Sequence, residues 1–273
     1  MNKRLGLGKL ERERLTIIVR STKGTITVKE AANILSITRT KAAKMLAHWT
    51  KKGWLLRVRR GLYVPIPLES RTTDISLEDP WLIAVRLFAP CYIGGWSAAE
   101  YWDLTDQIYR TIVVVTAKKV RKRNNVISGT KFLARTISIK NIFGTKNVWR
   151  GVAKVLVSNP TRTIIDMLMD PQLGGGIRPT VDMFNNYLSS DNKQMDLLME
   201  YAQRLSNGAV FKRLGFLLER LASEEKVAIN SCKSAITKGN AELDPTLEKF
   251  QLVTKWRLWL PKSWSTQEKR KQG

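Results

Sequence analysis

Along the first fifty residues apolar positions recur at helical spacing, and beyond residue 53 the pattern changes to two short apolar runs. Leu10, Leu15, Ile18 and Val19 fit one side of a first helix, which should stop by Gly24 because glycine readily takes the left-handed closing conformation. Thr27 and Glu30 stand at capping-box spacing, where hydroxyl and carboxylate each satisfy an orphan backbone donor. Val28, Ala31, Ala32 and Leu35 then supply a small-residue packing face. Residues 36–38 interrupt that helix. Thr38 is a good N-cap for a third, predicted to run to Lys52 and to close at Gly53, with Ala42, Met45, Leu46 and Trp49 inward. Residues 54–58 and 62–64, separated by Arg59, Arg60 and Gly61, predict a β-hairpin.

Asp79 and Pro80 form an N-cap and first-turn pair opening a helix that Pro90 ends, and a further helix over 97–104 should follow the turn at Gly94 and Gly95. Residues 111–116, 131–139 and 152–157 are rich in β-branched side chains and read as strands. Asn159 and Pro160 begin another helix, and after a loop at Gly174, Gly175 and Gly176 the chain reads as mostly helical to Leu221. The expected fold class is α+β: an N-terminal winged helix-turn-helix followed by a larger mixed α/β part with a helical end. Pro65, Pro67 and the polar stretch 69–79 place the boundary, giving expected domains of 1–68 and 79–273.

Charge sharpens that division. The 273 residues carry 47 Lys and Arg against 23 Asp and Glu, a net of +24. Residues 1–64 hold 16 of the cations and three of the acids, Glu11, Glu13 and Glu30, so over half the excess lies in under a quarter of the length. A helix fits the DNA major groove, its N-terminal amides and cations face phosphates, and a basic hairpin tip can reach the neighbouring backbone. The candidate DNA-binding residues are therefore Thr38, Arg39, Thr40, Lys41, Lys44, His48, Lys51 and Lys52 on the third helix, and Arg57, Arg59 and Arg60 on the hairpin. Arg39 and Lys41, in the first turn, are the candidates for base edges. The charge alone leaves an alternative open, a basic adaptor that grips RNA or an acidic partner protein without reading DNA sequence. The clusters at 118–123 and 269–271 read as a solvated loop and terminus, and the nine tryptophans as core material.

Candidate chemistry is sparse. Two cysteines, Cys91 and Cys232, cannot build a disulfide framework, and with one histidine the chain offers no zinc set, so neither metal nor cofactor is expected. Asp103 and Asp106 follow a glycine-serine turn, as the metal-binding carboxylates of nucleotidyltransferases do. Their spacing of three, at a helix end, does not converge them on a cation as alternate positions on a strand would. Asp166 reads as a helix-surface partner of Arg162, four residues earlier. The triple glycine lacks the lysine and the strand-to-helix context of a phosphate cradle. No catalytic residue and no enzyme activity is predicted. Without an apolar run of about 18 residues or a secretory leader, the expected location is a reducing cytoplasm, in association with the nucleoid.

The stretches GWLLRVRRGLYVPIP (53–67), YIGGWSAAEYWDLTDQI (92–108), NPTRTIIDMLMDPQLGGGI (159–177) and KRLGFLLERL (212–221), followed by LDP (243–245) and KWRLWLP (255–261), resemble the AbiEi family of antitoxins in block order. The resemblance implies a transcriptional autorepressor and antitoxin of a type IV toxin-antitoxin system serving abortive infection and phage defence. Its winged helix would bind double-stranded DNA at repeats, inverted ones being expected, in its own promoter. Its C-terminal domain would counteract a nucleotidyltransferase-like toxin encoded alongside. Carried onto this chain, the DNA-reading part matches 38–52 and the wing 57–61, whereas no compact motif marks residues that oppose the toxin.

Overall fold

The computed structural model describes residues 6–22, 25–66, 79–127, 129–150 and 153–264. The N-terminal module contains α1 (Lys9–Ser21), β1 (Ile26–Thr27), α2 (Val28–Ile34), α3 (Arg39–Lys51), β2 (Leu55–Arg59) and β3 (Leu62–Pro65). The capping box of α2 is formed: Glu30 N donates to Thr27 Oγ1 at 3.1 Å, and Thr27 N donates to the Glu30 carboxylate at 2.9 Å. Gly53, at φ +76°, turns the chain out of α3, and Gly61, at φ +81°, turns the hairpin. β1 adds to the hairpin in the antiparallel order β1-β3-β2. Leu15, Ile18, Ile26, Ala31, Ala42, Leu46, Trp49, Leu55 and Tyr63 make one core beneath the helices.

The larger part begins with α4 (Pro80–Phe88), capped by Asp79, whose side chain accepts from Trp81 N at 3.0 Å. It continues through β4 (Cys91–Ile93), α5 (Gly95–Tyr101), β5 (Thr111–Thr116), β6 (Asn124–Ile127), β7 (Thr130–Thr136), β8 (Thr145–Arg150) and β9 (Ala153–Ser158). These strands form a mixed six-stranded sheet in the order β6-β7-β5-β4-β9-β8. Then come α6 (Pro160–Met169), α7 (Ile177–Ser189), α8 (Met195–Leu205), α9 (Gly208–Leu221) and α10 (Lys226–Ser234). A small sheet of β10 (Ala241–Glu242), β12 (Leu258–Pro261) and β11 (Lys249–Val253) closes the chain. The α+β class expected from the sequence, with its helical N-terminal module and larger α/β part, is the class observed.

The sheet has a core on each face. On one, α5 to α9 pack through Tyr92, Val113, Val115, Ile164, Leu168, Phe184 and Leu214. On the other, α4 packs through Trp81, Ala84 and Phe88 against Val114, Phe132 and Val155, and here the N-terminal hairpin joins. Strand alternation explains how. Tyr63 points into the module's own core, while its neighbours Leu62 and Val64 point the other way into the core around α4. Arg86 on α4 adds an ion pair to Glu30 at 2.9 Å. A cleft of about 810 Å³ between the two parts is lined by Glu30, Leu82, Val85, Arg86 and Trp149, among others.

Several boundaries differ from those the sequence predicts. The helix expected over 97–104 begins at Gly95 and ends at Tyr101. It can start early because Gly95 adopts φ +52° against the Leu173 carbonyl, where a Cβ would lie 2.2 Å from the oxygen. It ends early because Asp103 turns the chain at φ +56°. The strand expected to reach 139 stops at Thr136, and a 3-10 turn occupies Ile139–Asn141. Strands β4, β6, β8 and the C-terminal sheet are additional to the reading. Gly24, Pro67, most of the polar stretch 69–79 and the basic tail at 269–271 lie outside the described residues.

Candidate nucleic-acid interface

Helix α3 is held by its inner side. Ala42, Leu46 and Trp49 are fully buried, Met45 half-buried, and Thr38 caps the first turn by accepting from Lys41 N at 3.3 Å. At about 100° per residue, Thr40, Lys44, Ala47 and Lys51 form the line opposite that buried side. Arg39 projects on one flank of this line and Lys41 on the other, and Arg39, Thr40, Lys41, Lys44 and Lys51 are all exposed. Arg57 and Arg60 are exposed on the hairpin, where a register shift between Arg57 and Arg59 disturbs the ladder. The side chain of Arg59 lies outside the described residues.

Two of the predicted contacts have other company. His48 Nε2 approaches Glu11 Oε1 at 3.2 Å, and Lys52 Nζ approaches Glu11 Oε2 at 3.1 Å. Both therefore lean along the flank of α3 toward α1. The hydrogen bond from Lys52, with that from Gly8 N, holds the Glu11 carboxyl below its usual value. A contact between α1 and α3 is invisible to helical periodicity, which orders residues on one helix only. By contrast, among the described residues Arg39, Lys41, Lys44, Lys51, Arg57 and Arg60 form no ion pair.

The carboxylates considered for catalysis are elsewhere. Asp103 and Asp106 are both exposed, on the turn after α5. Among the described residues no group of three or more His, Cys, Asp and Glu side chains is placed to hold a metal ion. At the triple glycine the N-terminus of α7 meets a carboxylate of the chain itself: Asp244 Oδ2 accepts from Ile177 N at 2.9 Å, while Oδ1 accepts from Thr246 N. An anion position at a helix N-terminus is thus already filled.

The expected pairing of Arg162 with Asp166 is present at 2.9 Å, but the expectation that it lies on a helix surface is corrected: both side chains are 0% exposed. α6 lies between the sheet and the helices that follow it, so even its polar positions are enclosed. Tyr92 completes the cluster, donating to Asp166 Oδ2 at 2.8 Å and accepting from Arg162 Nη2 at 3.0 Å. Burial, reinforced by the Asp166 charge, pushes the Tyr92 hydroxyl well above its usual value. Burial works against the charged guanidinium, but the Asp166 charge, the Tyr92 oxygen and the hydrogen bonds to both together outweigh it and raise Arg162 above its usual value.

Among the described residues no helix is long and apolar enough to cross a membrane. No curated protein matches the chain. The crystal structure of the RV2827C protein from Mycobacterium tuberculosis aligns with a TM-score of 0.64 over 95% of this chain and 94% of that one, at 13% sequence identity. At that identity the likeness concerns the fold. A family model described as "Transcriptional regulator, AbiEi antitoxin" matches residues 13–66, from within α1 to just past β3, and leaves the later blocks outside the match. The resemblance to the AbiEi antitoxin regulators read from the sequence is therefore borne out over residues 13–66, the span that carries the helices and hairpin of the N-terminal module.

Proposed function

We propose that the chain is a transcriptional autorepressor and antitoxin, with a DNA-binding domain over 1–68 and a domain over 79–273 that counteracts a nucleotidyltransferase-like toxin of a type IV system. The observation that carries the DNA half is the set of exposed cations on α3 and the hairpin that, among the described residues, have no carboxylate partner, set against an acid-poor module. Thr40, Lys44 and Lys51 face the groove, Arg39 and Lys41 reach base edges from the first turn, and Arg57, Arg59 and Arg60 hold the flanking backbone. His48 and Lys52 contribute from the α1 flank, where Glu11 orients them. The antitoxin half rests on the family to which residues 13–66 are similar. The chain acts by binding, in the cytoplasm and on the nucleoid.

A gel-shift titration on the DNA upstream of its own gene tests the reading. If the module neutralises about six to ten phosphates, affinity falls by roughly 10³ to 10⁵ between about 50 and 200 mM salt. Equal binding to scrambled duplex, or tighter binding to RNA, overturns the repressor assignment. Co-expression with the neighbouring gene, scored for rescue of growth, tests the antitoxin assignment separately.

A further inference from the structure

Trp149 is 64% exposed and belongs to none of the three cores. It stands on β8, an edge strand of the six-stranded sheet, directly across from Lys154 of β9. Lys154 Nζ lies 4.7 Å from the ring centroid, so a cation covers one face of the indole while the exposure leaves the other to solvent. Both residues line the cleft of about 810 Å³ between the module and the larger part, together with Leu82, Val85, Arg86 and Glu30. The stretch that supplies β8 and β9 is free of acids: residues 107–165 hold thirteen Lys and Arg and no Asp or Glu. Among the described residues Lys154 forms no ion pair. Arg86 meets Glu30 through Nη1 at 2.9 Å, and a guanidinium with five N–H donors has room for a second anion.

These parts suit a flat ring joined to an anion. An uncovered indole is a stacking surface for an unpaired base, whereas a duplex keeps its base faces inside the helix. The cleft has the size of a small-molecule site, and its apolar wall at Leu82 and Val85 suits the body of such a ligand. We propose that this cleft binds a free purine nucleoside monophosphate, with the base on Trp149 and the phosphate between Lys154 and Arg86. A purine covers more of the indole than a pyrimidine does. The two cations balance one phosphate dianion, while Glu30 opposes a longer phosphate chain. The phosphate competes with Glu30 for Arg86, so occupancy loosens the ion pair between α2 and α4 and joins the two parts through the ligand instead. Binding does not depend on what α3 reads.

The test is calorimetric titration of the full chain with AMP, which should show one saturable site. Inorganic phosphate and adenosine, which each carry one part of the ligand, should bind roughly tenfold more weakly or worse, and UMP several times more weakly. Trp149→Ala should weaken AMP by about tenfold or more, whereas Trp149→Phe should keep most of the affinity and lose the quenching of indole fluorescence on titration. Lys154→Ala should weaken AMP, and Glu30→Gln should tighten it several-fold by releasing Arg86. Trp149 and Lys154 lie outside the cores, so unchanged melting temperatures confirm that their variants fold. No saturable AMP binding, equal affinity for inorganic phosphate, or affinity untouched by Trp149→Ala would each overturn the proposal. So would binding of an unpaired RNA oligonucleotide through Trp149 without binding of AMP, which would make a strand the occupant. None of these measurements uses duplex DNA, so their outcome is independent of the gel shift.

Discussion

Four cations of the N-terminal module and three of the larger part are the same residue types in opposite settings. On α3 and the hairpin, Lys44, Lys51, Arg57 and Arg60 are exposed and, among the described residues, form no ion pair. In the larger part, Arg162, Lys212 and Arg213 are 0 to 3% exposed and bonded into the fold. Arg213 donates from Nη1 to the Leu168 carbonyl at 2.8 Å and from Nε to the Glu242 carbonyl at 2.8 Å, tying the end of α6 to the C-terminal sheet. Its burial, partly offset by Asp244 and other nearby acids, lowers its pKa to about 10. A count of positive charge therefore measures two quantities, a surface potential and a set of internal fasteners, and the distribution along the chain separates them only in part.

The comparison breaks most sharply at Asp166. Asp166→Ala strands a guanidinium in a site that is 0% exposed, where Arg162 Nη1 has no hydrogen-bond partner among the described residues, and should cost about 3–5 kcal/mol of stability. Urea denaturation measures it, and a loss below about 1 kcal/mol would mean that water reaches the cluster. Arg213→Met should cost less, about 2–4 kcal/mol, because it leaves buried carbonyls without donors rather than a charge without a counter-charge. Neither change should alter DNA affinity once corrected for the folded fraction.

The exposed cations should behave in the reverse way. Arg57→Ala combined with Arg60→Ala should leave stability within about 0.5 kcal/mol. If each arginine meets one phosphate, the slope of log affinity against log salt should fall by about 1.8. An unchanged slope together with a lowered melting temperature would move these arginines into the class of Arg162. Arg39→Ala should cost about 1–3 kcal/mol on the preferred site and little on random duplex, read from paired gel-shift titrations.

Legibility followed the reach of each physical rule. Local rules worked: the Thr27 and Glu30 cap, the Thr38 N-cap and strand β5 over Thr111–Thr116 are where the spacing puts them. Rules that need a neighbour failed. β4 has three residues between Pro90 and Gly94, too few for periodicity to register, yet it is a central strand because β5 and β9 pair with it. β6 reads Asn-Asn-Val-Ile and lies at a sheet edge, where only one side must satisfy the ladder. Arg162 and Asp166 have the spacing of a surface pair, and only the helices stacked over α6 reveal that the pair is internal. On α3 the outward residues were legible from helical spacing, while the Glu11 contacts of His48 and Lys52 required the placement of α1.

Glu30 joins the two regions, and its effect is the smallest expected. Its carboxylate closes the α2 cap and pairs with Arg86 of α4. Burial alone would raise its pKa, but the hydrogen bonds from Thr27 and the charge of Arg86 outweigh burial and hold it below the usual value. A depressed carboxyl contributes stability that is fully present above its unfolded pKa and is lost as pH falls through the lower, folded value. Glutamine serves equally well in a capping box, so Glu30→Gln removes the charge and keeps the cap. The variant should be less stable by under about 1 kcal/mol at neutral pH, because the pair is about one-third exposed. The gap should stay flat above the ordinary glutamate pKa and close as pH falls below it, where the wild-type carboxyl takes up its proton. A gap that persists at low pH would show that the hydrogen-bond geometry of Glu30, rather than its charge, fastens the module to the larger part.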